Sequence, residues 1–209
     1  MTLTVTPKAT ARIPLLEVHE MSEVQRALYD NVVAGPRGQM IGPLRAAIHS
    51  PNLAQLWSKF GEFLRYNTSL PHQLSELAIL VTGRRWNSQV EWWAHAKAGQ
   101  AAGLQPAVID AIQAGIAPAF TDEASWEVYE FARQLQATGT VSTEIHSAIV
   151  TRWGIPSVVE LTAVIGYYTM VAMTLNAHEL PLPEGVDKPL PPHPGLFELA
   201  PAQFEGAQG

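Results

Sequence analysis

The sequence predicts an all-α protein, a multi-helix bundle in a single domain, on three observations. Apolar residues recur at helical spacing in one segment after another, capping and breaking residues fall between those segments, and no stretch alternates with period two for long enough to demand a strand. From Pro181 the pattern changes to LPLPEGVDKPLPPHPGLFELAP, whose prolines remove donors and fix φ, so an extended Pro-rich C-terminal arm is expected there. The chain therefore divides into an N-terminal arm (1–20), a helical domain (21–180) and the arm (181–209).

The elements follow in order. Ser22 with Gln25 three residues on reads as a capping box opening a first helix that runs to Ala34 through Val24, Leu28 and Val32. Gly35-Pro36-Arg37-Gly38 and Gly42-Pro43 punctuate a loop, after which Leu44 to His49 is a short helical piece stopped by Ser50-Pro51. Asn52 to Tyr66 carries Leu53, Leu56, Trp57, Phe60, Phe63 and Leu64 at helical spacing. Ser69 is the expected N-cap of the next helix, with Pro71 in its first turn and Gly83 or Arg84-Arg85 at its end. Asn87-Ser88 caps a helix that stops at Gly103; Pro106 to Ala114 and Asp122 to Thr138 supply two more, and Val158 to Leu175 is an apolar, buried one. Thr68-Ser69-Leu70 with Leu74 and Ile79 echoes Thr138 to Val141 with Ile145 and Ile149, which suggests an internal helical-hairpin repeat.

Composition excludes several classes of function. Apolar residues make up 47% of 209, enough for a sizeable core, and the net charge of −6 comes with no basic run. Nucleic acid and anionic membrane are thus poor partners. The start MTLTVTPKATAR has no apolar run of a signal peptide, so a cytoplasmic location is expected. With no cysteine, disulfides, thiolate metal ligands and a Cys nucleophile are all ruled out.

Chemistry concentrates around Glu76 and the stretch Glu91-Trp92-Trp93-Ala94-His95. Glu91 and His95 are four apart and Ser88 precedes Glu91 by three, so hydroxyl, carboxylate and imidazole share one helical stripe. The flanking tryptophans provide an apolar surround that raises a carboxyl pKa toward neutrality. The same spacing also occurs in plain helix-surface contacts worth about 0.2–0.5 kcal/mol.

Glu76-Leu-Ala-Ile-Leu, a turn, Glu91-Trp-Trp-Ala-His95 and Ala101-Ala-Gly-Leu104 together resemble the signature of carboxymuconolactone decarboxylase and alkyl hydroperoxidase D type proteins. Leu64-Arg65-Tyr66, Leu70-Pro71, Val159-Glu160-Leu161, Gly166-Tyr167 and Leu175-Asn176 extend the likeness over roughly Leu44 to Asn176. The resemblance implies a helical bundle of the alkyl hydroperoxidase D-like type and a homo-oligomer, trimer or hexamer. In the hydroperoxidase branch a Cys-x-x-Cys pair opens the helix; here Ser88 and Glu91 stand at those positions while Glu76 and His95 match its supporting Glu and His. Peroxide reduction by that route is therefore not expected.

The decarboxylase branch is the better match and implies cofactor-free loss of carbon dioxide from a small carboxylated lactone. The substrate's own alkene and carbonyl accept the electrons, so the protein has only to stabilise an oxyanion and deliver a proton. The roles expected from this are His95 as proton donor, Glu91 as its orienting partner or a second acid/base, and Glu76 as a supporting carboxylate. Ser88, Trp92, Arg84, Arg85, Tyr66 and Arg37 are candidates for contacting the substrate, the two arginines being equally suited to a helix C-terminus. His19, His49, His72, His146 and His178 read as structural, and Tyr66, Tyr167 and Tyr168 either line the pocket or fill the core. Metal binding by Glu76, Glu91 and His95 is a weaker rival reading, because di-iron helical bundles show Glu-x-x-His twice and here Glu-x-x-x-His occurs once. A non-catalytic binding or assembly module is the alternative.

Overall fold

The computed structural model describes residues 11–36 and 38–206; the first ten residues of the N-terminal arm and Arg37 lie outside them. Eight helices occur among the described residues: α1 (Glu23–Ala34), α2 (Leu44–Ala47), α3 (Pro51–Tyr66), α4 (His72–Arg85), α5 (Gln89–Ala101), α6 (Pro106–Ala114), α7 (Glu123–Thr138) and α8 (Thr143–Ala177). The architecture is mostly helical, as the periodicity predicts. Two features depart from it: a 3-10 turn at Val18–Glu20, and a two-residue parallel pairing of β1 (Ala119–Phe120) with β2 (Gln203–Phe204) that no alternating pattern announced.

The capping box at Ser22 is present, with Gln25 N–H reaching Ser22 Oγ and Ser22 N–H reaching Gln25 Oε1. Ser69, by contrast, caps nothing. The helix starts two residues later behind Pro71, and the Ser69 N–H and hydroxyl both donate to Glu160 Oε2 of α8, at 2.6 and 2.7 Å. A distant carboxylate has taken the role that local spacing assigned to the helix end. Ser88 occupies the N-cap position of α5, but its side chain makes no cap bond.

Helix α4 is the axis of the molecule, with Leu74 through Arg84 all buried. It packs against α5, α7 and α8, so it has no solvated stripe, and every polar side chain on it needs an internal partner. Close approach to α5 is set by glycines at the contact: a Cβ on Gly99 would meet Leu104 and Leu80, and one on Gly83 would touch Glu91.

Helix α8 is broken at Gly154, whose φ of 85° is left-handed, and Pro156 then sits in the first turn of the second half. Taken whole, Thr143–Ala177 is long and apolar enough to cross a membrane by length and composition, with a mean hydropathy of 1.5 over its most apolar window, yet half of that window is buried inside the protein.

After Leu180 the chain crosses the bundle without a helix. Leu190 and Leu199 enter the core, Gln89 exchanges two bonds with the Leu190 backbone, and Tyr129 donates to the Ala200 carbonyl at 2.7 Å. Phe197 lies over the Arg84 guanidinium at 3.3 Å and bonds Arg85 through its own N–H and carbonyl. The segment thereby satisfies backbone groups at the end of α4. Replacing Phe197 with Ala removes the ring contact and about half-buried aromatic area, so a stability loss of about 1–3 kcal/mol is expected in thermal denaturation. Faster proteolytic cleavage of residues 181–196 should accompany it.

Candidate active site

The α4–α5 hairpin brings Glu76 and His95 together. Nδ1 of His95 and Oε2 of Glu76 are 2.7 Å apart, the carboxylate has no exposed surface, and the imidazole is 6% exposed. Burial pushes the Glu76 carboxyl up, but the His95 charge and hydrogen bond, with smaller help from Arg65 and His72, outweigh it and hold the group below its ordinary value. Glu76 is accordingly a carboxylate near neutrality and can only accept. His95 Nδ1 must therefore donate, which leaves Nε2 as the nitrogen free to exchange a proton.

Glu91 is in the opposite state. It is buried against Gly83, neither carboxyl oxygen has a partner, and desolvation drives its pKa well up. Ser88 Oγ, one turn earlier, is also buried and unpartnered. The shared stripe of Ser88, Glu91 and His95 is thus realised on α5, but the hydrogen-bonding partner of His95 is Glu76 rather than Glu91.

Tyr168 of α8 completes the enclosure, its ring edge-on to His95 with centroids 4.8 Å apart. Burial raises its phenol pKa, and the Glu76 and Glu91 carboxyls add to that while Arg65 opposes, so the hydroxyl keeps its proton. Arg65 at the end of α3 and His72, whose Nε2 stands 3.7 Å from Glu76 Oε1, add cationic character on the outer side. Of these three, Tyr168 is open from the sequence to lining the pocket or filling the core, whereas Arg65 and His72 are not expected as site members. The His72–Glu76 separation of four was a legible signal; the positions of Arg65 and Tyr168 depend on helix packing and were not.

The other candidates are placed elsewhere. The Arg84 guanidinium bonds the Gln113 carbonyl and Asn87 Oδ1 under Phe197, and Arg85 bonds the Phe197 carbonyl. Tyr66 is exposed beside Arg65, and Arg37 is outside the described residues. Trp92 is buried, and with Trp93, Lys97 and Asp110 it lines a cavity of about 320 Å³ that neither His95, Glu91 nor Glu76 reaches. At about 100° per residue, that cavity lies on a flank of α5 turned away from His95. No group of three or more His, Asp or Glu suited to a metal occurs among the described residues. No family model matches the chain, and a comparison with curated proteins finds no match.

The two carboxyls imply opposite pH slopes. The folded pKa of Glu91 lies above its unfolded value, so between the two the unfolded chain gives up a proton that the folded chain keeps, and rising pH favours unfolding. Thermal melts from about pH 5 to about pH 8 should show Glu91→Gln gaining stability relative to the native protein as pH rises. Glu76 has a lowered folded pKa, so its contribution is present above the unfolded value and lost as pH falls through the folded one. The deficit of Glu76→Gln relative to native should therefore shrink below about pH 4.

Proposed function

We propose that the chain is a carboxymuconolactone decarboxylase-like protein, a bundle of the alkyl hydroperoxidase D-like type with a repeated helical hairpin, acting as a cofactor-free lyase or isomerase on a small carboxylated or lactone-type substrate. The observation that carries this reading is the buried His95–Glu76 pair at 2.7 Å, with a second, partnerless carboxyl on the same stripe. His95 Nε2 delivers the proton, Glu76 holds the tautomer and stabilises the imidazolium, and Glu91 serves as the neutral acid or hydrogen-bond donor to a developing oxyanion. Tyr168 supports both by excluding water. The reading places the protein in the cytoplasm as a homo-oligomer, without nucleic acid or membrane as partner.

Loss of ultraviolet absorbance from carboxymuconolactone and related carboxylated lactones is the test. Turnover is expected, with His95→Ala slowing it by about 10²–10⁴, the range for a lost general acid. Full activity in that variant would remove His95 from the reaction. A second reading, a non-catalytic binding module, is favoured by the separate cavity on the α6 side of α5. It predicts no turnover of any lactone, and ligand-induced quenching of Trp92 and Trp93 instead.

A further inference from the structure

The hydroxyl of Tyr168 is not used in the arrangement around His95. The ring stands edge-on to the imidazole with centroids 4.8 Å apart, and excluding water needs the ring alone. The hydroxyl has no hydrogen-bond partner among the described residues, although the side chain is only 5% exposed. A phenylalanine of nearly the same volume would fill that space without burying an oxygen that bonds to nothing.

Tyr129 supplies the internal comparison. It is another buried phenol, and its hydroxyl donates to the Ala200 carbonyl at 2.7 Å, the kind of bond that a buried tyrosine ordinarily makes. Tyr168 lacks such a bond, yet its ring is held from two sides. Tyr167 packs edge-on against it at 5.2 Å and in turn meets Trp57 and Phe60 of α3, at 6.4 and 5.5 Å. Arg65, in the last turn of that helix, makes no ion pair among the described residues, and its charge bears on both Tyr168 and Glu76. A fixed donor with positive charge nearby suits an oxygen that becomes negative during a reaction.

We propose that Tyr168 is a catalytic residue: its hydroxyl donates a hydrogen bond to the substrate oxygen on which negative charge gathers, while His95 Nε2 delivers the proton. The inference rests on the acid/base reading above and narrows the substrate to a carbonyl compound that reacts through an enolate. In the decarboxylation the bond between ring carbon and carboxylate breaks, and carbon dioxide leaves. The electron pair of that bond moves through the alkene onto the carbonyl oxygen, which accepts the Tyr168 hydrogen bond beside that of Glu91. When the pair returns to carbon, that carbon takes a proton from Nε2 of the imidazolium, and His95 stays neutral until solvent reprotonates it. Tyr168 keeps its own proton throughout, because burial holds the phenol pKa above its ordinary value.

The probe is para-nitrophenolate, whose anionic oxygen stands in for the enolate, bound to the full-length protein and followed by the shift of its absorbance. Native protein should bind it, Tyr168→Phe should bind it about 10–100-fold more weakly, and Tyr129→Phe should match the native protein. Melting temperature separates a functional hydroxyl from a structural one: it should fall in Tyr129→Phe, which loses a bond, and hold or rise in Tyr168→Phe. With carboxymuconolactone, Tyr168→Phe should lower kcat by about 10²–10³ and leave KM near the native value. No phenolate binding by the native protein overturns the proposal, as does equal affinity in Tyr168→Phe, a native kcat in that variant, or a melting temperature lowered as far as in Tyr129→Phe. Hydroxyl-dependent phenolate binding without turnover of any lactone would reject the lactone substrate and leave the Tyr168 donor standing.

Discussion

A carboxylate with no exposed surface, set in the middle of a helix buried on nearly every side, is the constraint around which the rest is arranged. Removing Glu76 from water is tolerable only if a cation and a hydrogen bond replace the lost hydration. His95 provides the hydrogen bond from α5 at 2.7 Å, Arg65 adds positive charge nearby, and the small contact residues Gly83 and Gly99 let α5 come near enough. The pair in turn fixes the register of the α4–α5 hairpin, because a slip of one residue would turn the imidazole off the stripe.

The end of α4 poses the same problem and is solved by different means. Arg84 is buried there with no carboxylate beside it, and desolvation lowers its pKa. Its charge is met by a carbonyl, an amide oxygen and the face of Phe197. A proline-rich segment suits this task, since a backbone that forms no helix of its own keeps its carbonyls and amides free for Gln89, Arg85 and Gln113.

What could be read in the sequence was whatever local chemistry decides. Ser22 with Gln25, the helical spacing of α3 and α7, and the stop at Gly103 each depend on residues within one or two turns. Ser69 misled because a hydroxyl suited to capping was claimed by Glu160, ninety-one positions away. Ser88 misled for a related reason: it stands at a helix start, but its side chain is turned into the interior. For the site, spacing gave the stripe of Glu91 and His95, and the likeness to a known signature gave Glu76. Pairing His95 with Glu76 in preference to Glu91 needed the hairpin closed in three dimensions, as did the edge contact of Tyr168.

The contrast between the two glutamates gives the acid/base reading its physical content. Both are buried within one hairpin, yet Glu76 has an imidazole bonded to it and positive charge nearby, whereas Glu91 lies against Gly83 with neither oxygen partnered. Their environments thus push the two carboxyl pKa values apart, one down and one up, the separation that acid and base partners require. A purely structural role explains Glu76 well enough, since its pair closes the hairpin. It explains Glu91 poorly, because a leucine of similar volume there would avoid burying two unpartnered oxygens. The residue whose burial brings no evident gain in stability is the one for which a function has to be sought.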